Sequence, residues 1–217
     1  MIPTPDLIDS LVADATPVRR LRPPAVRAAR WLLLAALVIV LAALHHGVRP
    51  DLALKLAQPV FVSGVAAAVL TAVLAAIAAF IASVPGRSPR WLMLPVPAVL
   101  VWIGTIGYGC LTDWVRIGPG GISLGETASC FATLMVVGLP LSFAMLFMLR
   151  YVARLSPGPV AMCAGLAVAA MTATALSLLH PLDATVMILL WNFGVALLLV
   201  GVSGRYGHWL FAWMAAR

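Results

Sequence analysis

Two cysteines, a histidine and an aspartate carry the densest chemistry in this 217-residue chain. Cys110 and Cys130 bracket a loop rich in glycine, with Gly118, Gly120, Gly121 and Gly125, and His180 and Asp183 flank a short turn further on. Thiolates beside an imidazole suit a soft metal ion, and two thiols in an oxidising compartment can join as a disulfide. Either chemistry makes Cys110, Cys130, His180 and Asp183 a candidate sensor. The alternative is passive, because a cysteine also serves as a small buried hydrophobe. No metal site is assigned; Cys110, Cys130 and His180 are only weak candidate ligands. The glycine-rich loop lacks the Gly-Lys-Ser/Thr that would cradle a phosphate. There is no His-Glu-x-x-His and no pair of carboxylates at catalytic spacing, so neither an enzyme nor a cofactor is expected.

The other chemically legible element is the N-terminal segment. Thr4 can cap a helix whose first position is Pro5, with Asp6 in the first turn, where the helix dipole favours an acid. At 100° per residue Leu7, Ile8, Leu11 and Val12 share one arc, while Asp6, Asp9, Ser10, Ala13 and Asp14 share the other. Pro17 ends the helix, and Arg19, Arg20 and Arg22 follow in a basic extended stretch that closes on Pro23 and Pro24. A helix of about twelve residues is marginal alone, so its apolar arc calls for a partner. A bilayer surface would repel three aspartates wherever its leaflet is anionic. A protein partner is expected instead, with Leu7, Ile8, Leu11 and Val12 at the centre of the contact and Asp6, Asp9, Asp14, Arg19, Arg20 and Arg22 around it.

These groups must be positioned by elements that live in lipid. Apolar residues make up 63% of the chain and charged residues 10%, whereas a soluble domain carries about 25% charged residues to face water. Six apolar stretches run roughly over 28–48, 60–84, 91–111, 127–149, 160–179 and 184–203, each near the ~20 residues that a spanning helix needs. The expected fold is all-α: a polytopic membrane protein of six transmembrane helices. The first stretch has an uninterrupted apolar run only from Trp31 to Leu44 and requires Arg27 and Arg30 to snorkel at its start. Eleven Lys and Arg precede, follow or separate the stretches on one side, and three lie on the other with four acids. The positive-inside rule then puts both termini on the cytoplasmic side. The net charge of +7 is therefore mostly topogenic, and no direct binding of nucleic acid is expected. In this frame Cys110, Cys130, His180 and Asp183 share an outer plane with His45 and His46, and Cys163 lies near the inner end, about 30 Å away.

Residues 1–27 thus form a cytoplasmic partner-binding segment, 28–203 the six-helix domain and 204–217 an interfacial tail anchored by Trp209 and Trp213. Asn192 is the one conspicuous polar side chain deep in a stretch, suited to an interhelical hydrogen bond. Transporters commonly bury ionisable groups at mid-membrane. A small six-span transporter or channel subunit is therefore the second reading, to be supported by a polar pore and opposed by a dry core. Gly64, Ala68, Ala72 and Ala76, and likewise Gly165, Ala169, Ala173 and Ser177, place small residues at every fourth position and predict close helix packing. Homodimer contacts would need the same stripes, and oligomeric state stays open. Pro95, Pro97 and Pro140 should kink or shorten the third and fourth spans.

Asp6 to Pro24, DLIDSLVADATPVRRLRPP, followed by six stretches and the GCLTDW…GPGGISLGETASC block from Gly109 to Cys130, resembles the NrsF-type anti-sigma factors, negative regulators of sigma F. The resemblance covers essentially the whole chain. It implies a six-span inner-membrane protein whose cytoplasmic N-terminal segment sequesters an extracytoplasmic-function sigma factor and releases it under stress. It also implies a sensing cysteine at Cys130, with a second cysteine expected directly after His180. Here Pro181 follows His180.

Overall fold

Helix is the only regular structure that can follow from such long apolar runs with no polar alternation, because a helix satisfies its own backbone. The computed structural model describes residues 3–13, 22–113, 124–149 and 157–179, and among them there is no strand. Seven helices follow in order: α1 (Thr4–Ala13), α2 (Pro24–His46), α3 (Leu52–Leu56), α4 (Pro59–Ala82), α5 (Val96–Asp113), α6 (Leu124–Leu149) and α7 (Pro157–Leu179). A 3₁₀ turn over Pro89–Met93 precedes α5. Five segments, belonging to α2, α4, α5 with its preceding turn, α6 and α7, are long and apolar enough to cross a membrane. The sixth stretch, 184–203, lies outside the described residues, as do Asn192, Trp209 and Trp213.

Proline places several of the starts. α2, α4 and α7 begin at Pro24, Pro59 and Pro157, where the missing N–H is one of the donors a helix start leaves unpaired anyway. Pro95 lies just before α5, so the third span is regular α-helix only from Val96, and Pro97 falls in its first turn. α6 runs through Pro140 without ending there. Gly47, with φ of 79°, closes α2 by donating its N–H to the Ala43 carbonyl at 2.9 Å, a conformation that a Cβ would penalise.

The core is built on small residues. α4 packs most extensively against α7, with α5 and α2 also against α4, and α6 against α7 and α2. Ala72, Ala75, Ala76, Ala78 and Ala79 of α4 and Ala167, Ala170 and Ala175 of α7 are fully buried. The stripe Ala68, Ala72, Ala76 therefore serves packing within the chain, and Gly64 faces Thr105 of α5, whose Oγ1 lies 3.4 Å from where a Cβ would stand. Gly138 of α6 likewise meets Thr172 of α7. Large side chains such as Leu33, Leu37, Leu41, Leu44, Leu70, Leu100 and Phe143 point outward, the arrangement lipid permits.

Candidate functional site

α1 begins at Thr4 itself, one residue before the expected first position, and continues to Ala13. Asp6, Asp9, Val12 and Ala13 are exposed, Val12 at 68%. Helix α1 makes no extensive contact with any other described helix. Leu7, Ile8 and Leu11 lie on this helix but their side chains are outside the described residues, and so are Asp14, Arg19 and Arg20. Arg22 is described and exposed.

Where this segment enters the bundle, the chain is held tightly. Arg27, in the first turns of α2, is 6% exposed. Its guanidinium donates to the Met148 carbonyl in the last turn of α6 and stacks over the Phe80 ring at the end of α4, 4.9 Å from the centroid. One turn on, Trp31 is fully buried and its Nε1–H donates to the Leu141 carbonyl at 3.2 Å. Arg27 therefore does not snorkel. Burial is tolerable because the guanidinium meets a terminal carbonyl that α6 leaves unpaired, at the helix end where a cation is favoured, and an aromatic face. Arg30 is exposed, as a snorkelling arginine should be. The spacing of Arg27 and Trp31, with Ala28 and Ala35 between and beyond, was the available signal that this face turns inward.

The opposite end has its own clasp, which sequence reasoning counted only as charge. Arg49 is 4% exposed; its Nε and Nη2 donate to the two Asp51 carboxylate oxygens, each at 2.7 Å. Its Nη1 reaches the Ser177 carbonyl at 3.4 Å, its backbone N–H reaches the Leu178 carbonyl at 3.2 Å, and its guanidinium lies 5.6 Å from the Phe61 ring centroid. The fork from Arg49 holds the Asp51 carboxyl below the usual carboxylate range. His45 and His46 sit edge to face near this end, exposed in the last turn of α2.

The sensor candidates are only partly placed. Cys110 falls in the last turns of α5 and Cys130 in the second turn of α6, but their side chains, like His180 and Asp183, are outside the described residues. Cys163 is buried in the second turn of α7, far along that helix from Ser177 and the Arg49 clasp. Within the membrane-spanning helices the buried hydroxyls of Thr172 and Thr174 donate to carbonyls of their own helix, Val168 and Ala170, and the half-buried Ser177 to Ala173. The fully buried Thr71 hydroxyl has no partner among the described residues. Gly121-Ile122-Ser123-Leu124-Gly125 spells the letters of a Gly-x-Ser-x-Gly nucleophile. That chemistry needs a strand-to-helix turn at a sheet edge; Leu124 opens α6, Ser123 lies outside the described residues, and among the described residues there is no strand.

The model of the NrsF family, described as negative regulator of sigma F, matches residues 11–213. The chain belongs to the NrsF family. The match takes in Leu11, Val12, Asp14, Arg19, Arg20, Arg22, Cys110, Cys130, His180 and Asp183, and starts after Asp6 to Asp9. The family is regulatory and is not an enzyme class, and its description implies a sigma factor as partner. No protein of curated function and no solved structure matches the chain.

Proposed function

We propose that this NrsF-family chain is a membrane-bound anti-sigma factor that holds an extracytoplasmic-function sigma factor at the inner face of the bacterial inner membrane and releases it under stress. The observation that carries the reading is α1: an amphipathic helix with exposed Asp6, Asp9 and Val12 that packs extensively on no described helix. An amphipathic helix that no described helix covers extensively suits a groove on a protein partner. The helix ends of the bundle agree with a cytoplasmic segment. The start of α2 and the ends of α4 and α6 lie together through Arg27, Phe80 and Met148, and the segments joined there carry Arg22, Arg30, Arg87 and Arg90. Such an excess marks the cytoplasmic side. Both termini are then cytoplasmic, with the sixth span at 184–203 and the tail from 204 on the same side as the segment.

In this scheme Leu7, Ile8, Leu11 and Val12 fill an apolar groove of the sigma factor. Asp6, Asp9 and Asp14 meet basic residues otherwise used on DNA or core polymerase, and Arg19, Arg20 and Arg22 border the contact. The release signal enters at the far end, where Cys110, Cys130, His180 and Asp183 belong; Cys163, near the inner end, takes no part. The chain is co-expressed with a panel of extracytoplasmic-function sigma factors, each with its own promoter reporter. One reporter should be silenced. The double substitution Leu7→Asp, Leu11→Asp should restore it, because buried anchors lose about 2 kcal/mol or more on disruption, roughly thirtyfold in affinity. Asp14→Asn should restore less, since rim charges contribute less. Full repression by a stably inserted double variant rules the scheme out.

A further inference from the structure

Pro24 suits the start of α2, but little else in its first turn favours a helix. Pro23 offers no side-chain cap, no acid stands in the first turn, and Arg27 and Arg30 sit at the end of the helix dipole that disfavours cations. What holds it is tertiary. The Arg27 N–H donates to the Pro23 carbonyl at 3.2 Å, closing the first turn, while the same residue's guanidinium is fastened to the Met148 carbonyl and the Phe80 ring. One residue thus ties Pro23 to the ends of α6 and α4. The next anchor inward is Trp31 on Leu141.

We propose that Arg27 is the positioning residue that sets where the partner-binding segment leaves the bundle: its contacts keep residues 24–30 helical and so hold the tether between α1 and the bundle to residues 14–23. The inference rests on the anti-sigma reading for its consequence, though not for its geometry. Ten residues reach at most about 33 Å when extended. Without Arg27 the helix unwinds to Trp31, the tether becomes residues 14–30, and its reach rises to about 56 Å. A captured sigma factor is then held less closely to the membrane. Because Pro23 is extended, with φ of −51° and ψ of 143°, and is followed by Pro24, the direction set at Arg27 carries into the segment. A shift of the end of α6 likewise reaches Pro23 through a single side chain.

Arg27→Gln, Arg27→Lys and the exposed control Arg30→Gln are compared as full chains in lipid nanodiscs by hydrogen exchange. In Arg27→Gln the amides of residues 27–30 should exchange about tenfold faster or more, while those of 31–46 keep their protection. Arg27→Lys should be intermediate, since an ammonium can reach the carbonyl but cannot stack as a flat guanidinium does. Arg30→Gln should match the parent. With the sigma factor selected in the panel above, dye-labelled and captured by the same nanodiscs, energy transfer to acceptor lipids should fall in Arg27→Gln although capture persists. Unchanged exchange at 27–30, faster exchange spread evenly over α2, α4 and α6, or unchanged energy transfer would each overturn the proposal. Loss of capture with residues 24–30 still protected would also overturn it, by placing Arg27 in the partner contact. Persistent capture by Leu7→Asp, Leu11→Asp is a different failure: it removes the α1 reading and leaves the exchange result standing.

Discussion

Arg49 and Asp51 show how two residues can hold an end of a membrane bundle. The guanidinium is buried and satisfied on several sides, by a bidentate carboxylate, by the Ser177 carbonyl at the end of α7 and by the Phe61 ring. Removing its counter-charge leaves a buried cation less well paired, which costs more than losing a surface ion pair. Asp51 is held below its ordinary carboxylate range chiefly by the hydrogen bond from Arg49. A folded-state value below the unfolded one means that the stabilisation is complete above the unfolded value, near pH 4, and disappears as the pH falls through the folded value. Thermal unfolding of the purified protein in nanodiscs should therefore be insensitive to this pair from neutral pH down to about 4 and weaken below it. Asp51→Asn should melt lower at neutral pH and show a shallower acid drop; an acid limb identical to the parent's would mean that the pair does not contribute.

At the scale of elements, α4 and α7 depend on side chains that are nearly absent. In lipid there is no water to expel between helices, so their attraction comes from close approach and dispersion, which alanine and glycine permit. Ala72 is fully buried in α4 while Leu70, two residues earlier, is 51% exposed. Ala72→Leu should force the α4 and α7 backbones apart and cost about 1–3 kcal/mol, read as a lower unfolding midpoint in a denaturing-detergent titration. Leu70→Ala changes the side chain by the same three carbons but should alter stability by less than about 0.5 kcal/mol, as surface substitutions do. Equal effects at the two sites would mean that the stripe does not make the helix contact. Gly138→Ala lies between these cases: its added Cβ would meet Thr172 Oγ1 at 3.6 Å, ordinary contact distance.

For the whole molecule, the alternation of helices brings the start of α2 together with the ends of α4 and α6, and the chain just after α2 together with the end of α7. Charge adds a direction to that alternation. Arg22, Arg27, Arg30, Arg87 and Arg90 belong to one end, and Arg49 with Asp51 and Lys55 to the other. A reporter active only in the cytoplasm should work when fused after Arg217 and fail when inserted beside Gly120. The opposite pattern would put the N-terminal segment out of reach of any sigma factor, even though the fold would be unchanged.

Much of this was written in the chain itself. The long apolar runs without polar alternation and the scarce charge determined a helical membrane bundle, since a barrel strand would alternate polar and apolar residues, and the helical spacing of Leu, Ile and Val against Asp in residues 6–14 was enough to mark α1 as an amphipathic helix. The small-residue stripes announced close packing, though not with which neighbour. The tertiary structure decided the rest, because it depends on which helix ends meet. Arg27 reads as a snorkelling cation until Met148 and Phe80 are brought beside it, and Arg49 reads as loop charge until the end of α7 arrives. α3 went unread because five residues with no caps of their own carry too little periodicity. Pro140 reads as a kink or a shortening, and α6 continues through it, as neighbouring helices can make good a lost backbone hydrogen bond in a membrane. Composition and period are local properties and survive in a one-dimensional chain; the pairing of a buried guanidinium with a carbonyl 121 residues away does not.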